Sequence, residues 1–128
     1  APVYLPGKDT LTLAELAGER LLLREQGSGT RSSVEAGFQQ AGVPIRPAVE
    51  SISTAALLSC ARAGLGITLL PRSLVEQDVA QGSLRELTVV GGSFCRNYFL
   101  VRHRGKYLTD GMRRVIQVLR EHLGDTQT

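Results

Sequence analysis

Two nearly unbroken apolar runs constrain this chain more than any other feature: Leu21-Leu22-Leu23, flanked by Arg20 and Arg24, and Gly66-Ile67-Thr68-Leu69-Leu70-Pro71. A strand that is apolar on successive residues must be covered on both faces, the situation of a parallel sheet with crossover helices above and below. The segments between the runs have helical spacing. Val34, Phe38 and Ala41 share one face of a helix predicted over residues 32–41 and closed by Gly42. Leu57, Leu58, Ala61 and Leu65 share a face of the next, which Ser53 or Thr54 can cap and Gly64 can end.

The remaining segments extend the alternation. Thr12-Leu13-Ala14-Glu15 has the form of a capping box, Thr12 accepting from the helix and Glu15 reaching back, with Gly18 at the far end. Residues 48–52 predict a second strand, residues 73–80 a short helix, residues 84–90 a fourth strand and residues 98–101 a fifth. Thr109 caps a last helix whose Met112, Val115, Ile116, Leu119 and Leu123 form one apolar stripe. The predicted order is α-β-α-β-α-β-α-β-β-α, and residues 20–71 require parallel strands joined by right-handed crossovers.

The totals exclude several classes. At 128 residues, 42% hydrophobic and 21% charged, the chain is one globular domain's worth of sequence and not a disordered one. Fifteen Lys and Arg against 12 Asp and Glu give a net charge of +3, which without clustering is no nucleic-acid footprint. Cys60 and Cys95 form no CxxC pair, and His103 and His122 lie near neither, so no metal site is expected. Cys60 reads as a small buried hydrophobe, and two unpaired thiols fit a reducing cytoplasm. No apolar run approaches the roughly 18 residues of a membrane span. The chain opens on Ala1-Pro2-Val3-Tyr4, as though cut from something longer.

In open parallel sheets, ligands bind outside the carboxyl ends of strands, where helices begin. Glu25-Gln26-Gly27-Ser28-Gly29-Thr30-Arg31 occupies that place. Gly27 and Gly29 allow a tight turn with amides directed outward, Ser28 and Thr30 add hydroxyls, and a helix N-terminus favours a carboxylate, sulfate or phosphate. The same residues also suit an ordinary strand-to-helix turn in which Ser28 or Thr30 only caps the helix. No Gly-Lys-Ser/Thr follows, the third glycine of a dinucleotide fingerprint is absent, and there is no nucleophile elbow, so no cofactor is implied.

The run Leu22-Leu23-Arg24-Glu25-Gln26-Gly27-Ser28-Gly29-Thr30-Arg31 closely resembles the effector domain of LysR-type transcription regulators. So do Ala63-Gly64-Leu65-Gly66-Ile67-Thr68-Leu69-Leu70-Pro71 and the run from Tyr98-Phe99-Leu100-Val101 to Lys106-Tyr107-Leu108, in the same order and separation. The resemblance covers roughly residues 5–123. It implies a type 2 periplasmic-binding-protein-like α/β fold, two three-layer αβα lobes hinged around a cleft that takes a small effector, often an anion. On that template residues 1–6 are a crossover, residues 7–92 the second lobe, residues 93–124 the return strand and a helix of the first lobe, and residues 125–128 a tail.

The family's winged helix-turn-helix, its linker helix and the opening part of its first lobe have no counterpart in these residues. The domain is thus expected to be truncated on its N-terminal side, with DNA bound only through a helix-turn-helix outside it. Carried over residue by residue, the site implied is Thr30, with the Ser28 and Gly29 amides beside it, Glu25 and Gln26 at the pocket edge, and Ser53 and Thr54 facing the same cleft. Arg31 is expected to be solvated or salt-bridged, and the basic run from Arg102 to Lys106 to be a solvated turn. The implied protein is a cytoplasmic homodimer or tetramer that binds a small anionic effector and no membrane. The alternative is a fragment of a solute-binding protein of the same fold. An enzyme is not expected, because Asp9, Glu15, Glu19 and the two histidines do not converge into an acid, a base and a nucleophile.

Overall fold

A computed structural model describes residues 5, 7–92, 94 and 101–123 and divides into two compact units, Ala1–Arg96 and Asn97–Thr128. In the first unit the elements run β1 (Thr10–Thr12), α1 (Leu13–Ala17), β2 (Leu21–Arg24), α2 (Gly29–Gln40), β3 (Val49–Ser51), α3 (Thr54–Arg62), β4 (Ile67–Thr68), α4 (Arg72–Gln81) and β5 (Thr88–Val90). All strand pairs are parallel, as the crossovers demand: one sheet has the order β3-β2-β4 and a second pairs β1 with β5.

The apolar run of β2 is covered on both faces. Successive side chains of a strand point to opposite faces. Leu21 and Leu23 join a cluster with Leu13 and Leu16 of α1 and with Val34 and Phe38 of α2. Leu22 is equally buried but lies outside that cluster, and α3, whose Leu57 is fully buried, packs against β2. The result is a helix layer on each side of the sheet.

The predicted helices form where their caps are. Thr12 Oγ1 accepts from the Glu15 amide at 3.1 Å while Glu15 Oε1 accepts from the Thr12 amide at 3.2 Å, completing the capping box. Ser53 caps α3, Gly82 ends α4 in the left-handed conformation, and Thr109 Oγ1 accepts from the Met112 amide at 3.2 Å at the start of α5 (Asp110–Leu123) in the second unit.

The strands differ from expectation in extent. β1 was not anticipated, because three residues, the last of them the helix cap, carry no signal without their partner β5. The run expected over residues 66–71 pairs only at Ile67–Thr68, and that over residues 84–90 only at Thr88–Val90. In α2 the helix starts at Gly29, three residues before the predicted start at residue 32. Of the fifth predicted strand, residues 98–100 lie outside the described residues, and Val101 is in no strand. The basic run is a turn, with the Lys106 amide donating to the His103 carbonyl at 3.0 Å. Cys60 is free and half-buried on α3, not enclosed; Cys95 lies outside the described residues.

Gly66 marks where β4 approaches the end of α1's connection. A Cβ built there would stand 2.3 Å from the Arg20 carbonyl oxygen, the same oxygen that accepts from the Ile67 amide at 2.8 Å. Gly66→Ala must push β4 away from β2 and is expected to cost about 2 kcal/mol, the usual scale for overpacking. Urea denaturation checks it; a loss below about 0.5 kcal/mol, the scale of a surface change, would contradict this packing.

Candidate functional site

Because β3, β2 and β4 are parallel, all three deliver the chain to one edge of the sheet, and α2, α3 and α4 begin from it. At the end of β2 the chain turns through Gly27, whose φ of +95° is a backbone conformation that favours glycine. The Ser28 amide donates to the Glu25 carbonyl at 3.2 Å, closing the turn. Ser28 is buried, and its hydroxyl accepts from the Arg31 amide at 3.4 Å. Ser28, not Thr30, is therefore the N-cap. The Gly29 and Thr30 amides, first in α2, have no acceptor within the helix ladder.

The end of β3 repeats the arrangement. The Ser53 amide donates to Ser51 Oγ at 3.0 Å, and Ser53 Oγ accepts from the Ala56 amide at 3.2 Å. Ser53 is exposed, Thr54 half-buried and the neighbouring Ile52 79% exposed, so an apolar side chain stands bare at this edge.

Arg24, the last residue of β2, joins the turn that leads into α2 to the start of α3. Its Nε and Nη2 donate to the two carboxylate oxygens of Glu25 at 3.0 and 3.1 Å, and Nη1 donates to Thr54 Oγ1 at 3.2 Å. The guanidinium holds the Glu25 carboxyl below the usual carboxylate range, so Glu25 is ionised at neutral pH. Glu25 and Thr54 are thus brought together through a residue the site assignment had omitted. The available signal was a cation ending an apolar run at a strand's carboxyl end.

Arg31 was expected to be salt-bridged or solvated. It is salt-bridged and only 4% exposed. Its Nη1 donates to the Arg24 carbonyl at 2.9 Å and to Glu50 Oε2 at 3.3 Å, and its Nε to Glu35 Oε1 at 2.8 Å. One side chain therefore ties β2, β3 and α2 together under the edge.

Thr30 is the second residue of α2. Half-buried, it lines with Ser33, Val34, Leu69, Val75 and Leu87 a largely apolar cavity of about 1000 Å³ between α2 and α4. The bidentate pair of Arg62 with Asp78, at 2.7 and 2.8 Å, bridges α3 to α4 beside it. Arg62 and Ser83 together hold the Asp78 carboxyl down to about 2. Gln26 and Gly29 are exposed. Among the described residues no group of His, Cys, Asp and Glu is arranged to hold a metal ion, and no helix is long and apolar enough to cross a membrane.

Residues 1–124 match the family model of the LysR substrate binding domain. Three curated relatives are similar over most of the chain. The RuBisCO operon transcriptional regulator of Allochromatium vinosum is 34% identical over 105 residues, 82% of this chain and 35% of that protein. The HTH-type transcriptional regulator CbbR of Xanthobacter flavus is 41% identical over 112 residues, 84% of this chain and 34% of that protein. The uncharacterized HTH-type transcriptional regulator YeiE of Escherichia coli is 32% identical over 116 residues, 91% and 40%.

These relatives are transcriptional regulators, and the chain spans 34–40% of their length. Among solved structures, the regulatory domain of Synechocystis PCC6803 CcmR in complex with 2-PG superposes with a TM-score of 0.70 at 22% identity, over 97% of this chain and 60% of that one. The effector domain of AmpR of Pseudomonas aeruginosa gives 0.60 at 24% identity, over 89% and 54%. The fold is therefore the periplasmic-binding-protein-like fold the sequence implied.

Proposed function

Since this chain belongs to the LysR substrate-binding domain family, we propose that it senses a small anion and through it controls how a transcription regulator uses DNA. The observation that carries this is the carboxyl edge: two helices, α2 and α3, begin side by side from the hydrogen-bonded neighbours β2 and β3. Unpaired amides and the aligned peptide dipoles of two helix starts favour negative charge at that edge. In this reading Thr30, Ser28 and Gly29 contact the effector, Glu25 and Gln26 border it, and Ser53 and Thr54 face it from α3.

Residues 7–92 form the second lobe, and residues 93–124 return to the first. The structure of CcmR extends well beyond the match, 60% of it being covered, which supports further first-lobe elements that would cover the exposed apolar residues Val115, Leu119 and Leu123 of α5. Lobe closure on the anion would change the arrangement of a homodimer or tetramer, and so of a helix-turn-helix outside this chain, to the extent that the anion binds one state better than the other. The protein acts in the cytoplasm, where the DNA is. The solute-binding alternative is disfavoured by the three relatives above, each named as a transcriptional regulator.

Isothermal titration of the full-length protein with 2-PG, the compound in the CcmR complex, and with inorganic phosphate tests the reading. Thr30→Val removes a hydroxyl while keeping shape, and is expected to weaken binding about fivefold, the value of one ordinary hydrogen bond. Unchanged affinity would remove Thr30 from the site.

A further inference from the structure

We infer that the Arg24 guanidinium is the charged ligand of the anion, and that Glu25 occupies it as an internal stand-in when no anion is bound. The inference rests on the anion-sensing reading above and deepens it, since it names the group that recognises the charge and the group that must move aside.

Glu25 meets Arg24 as a bidentate carboxylate does, one oxygen on Nε and one on Nη2. That planar fork is the geometry by which guanidinium groups take carboxylates and phosphates. The pair is adjacent in sequence and needs no tertiary contact to form, so it stabilises no packing between elements. Both side chains are half-buried, 23% and 29% exposed, so the pair can be reached from solvent. Among the described residues, the guanidinium's tertiary tie is its bond to Thr54 Oγ1, which aims it at the start of α3. Three of its five N–H groups are accounted for by these bonds.

The backbone beneath is fixed. Arg31, buried and braced by Glu35 and Glu50, clamps the Arg24 carbonyl. Arg24 thus projects from a rigid point, whereas Glu25 lies on the turn that follows. The other two carboxylates of this corner, Glu35 and Glu50, are engaged with Arg31. Swinging Glu25 away therefore leaves a net positive guanidinium at the start of α3. A small anion with two oxygens in one plane replaces what Glu25 supplied, and ejects a carboxylate from the turn that connects β2 to α2. Neutral ligands gain nothing from this exchange, so the pair also selects for charge.

The experiment is a cycle of four full-length proteins titrated with inorganic phosphate at low ionic strength: wild type, Glu25→Gln, Arg24→Gln and the double variant. Glu25→Gln keeps the shape of the side chain and removes the competing charge; binding is expected to tighten about tenfold, on the scale of one charged hydrogen bond. Arg24→Gln is expected to weaken binding at least as much, and in that background Glu25→Gln is expected to change nothing. Unchanged or weaker binding in Glu25→Gln overturns the exchange. Tightening that persists without Arg24 also overturns it, because Glu25 then acts only by repelling anions from the edge. If phosphate binds wild type but the cycle fails in either way, anion sensing stands and this inference falls. If phosphate binds neither wild type nor Glu25→Gln, both fall.

Discussion

Phe38→Ala is expected to lower the unfolding free energy by about 4 kcal/mol, near the middle of the range for removing a buried aromatic ring. Phe38 is 1% exposed and belongs to the core cluster formed by β1, α1, β2 and α2. Its ring also lies 5.6 Å from that of Phe94 at a 45° tilt, a pairing that adds to area burial. Leu16, Leu21 and Leu23 are fixed by the strand and helices that carry them, so the space left behind cannot close by side-chain motion alone. Equilibrium urea denaturation gives the number. A loss under about 2 kcal/mol, below the range for a large buried side chain, would mean that this cluster is not the organising core of the first unit.

Arg31→Ala is expected to cost about 3 kcal/mol, for a reason different from its salt bridges. The carboxylates of Glu35 and Glu50 are 42% and 44% exposed, so on losing Arg31 they recover water and little is forfeited there. The Arg24 carbonyl loses a charged donor at 2.9 Å, and the space of a nearly enclosed guanidinium is left empty. Arg31→Lys, measured beside it by the same denaturation, separates the two contributions. Lysine keeps the charge but not the fork that reaches two elements at once, so less than half of the loss should be recovered. Full recovery would show that charge alone is what this position needs.

What could be read from the residues was whatever is decided locally. Thr12 with Glu15, Ser53 and Thr109 each announce a helix start, and each caps as the neighbouring sequence requires. The Leu21-Leu22-Leu23 run foretold its own double-sided burial. Pairing between distant segments was less legible. Thr10-Leu11-Thr12 becomes a strand only because β5 lies beside it, while Leu69 and Leu70 belong to an apolar run yet line the cavity instead of extending β4.

The candidate site divides in the same way. Sequence placed the glycine turn at the carboxyl edge and named Glu25, Ser28 and Thr54 within it. It did not separate Ser28, whose hydroxyl is taken up in capping, from Thr30, which faces the cavity. Burial of Arg31 depends on Glu50 of β3 and on the Arg24 carbonyl, neither of which a local pattern contains.

The pairing of β1 with β5 also orders events in time. The strands β2, β3 and β4 are neighbours along the chain, each joined to the next by a single helix, so their sheet needs only short loops to close. The other sheet joins the two ends of the unit, fastened where Arg85 bonds to Asp9 across a separation of 76 positions. Closing so long a loop carries an entropy cost that must be met before any contact rewards it, and contacts of this kind slow folding. The three-stranded sheet is therefore expected to form first, with the β1–β5 clasp closing last; stopped-flow folding in which Leu11→Ala slows folding as much as Leu22→Ala does would contradict this order.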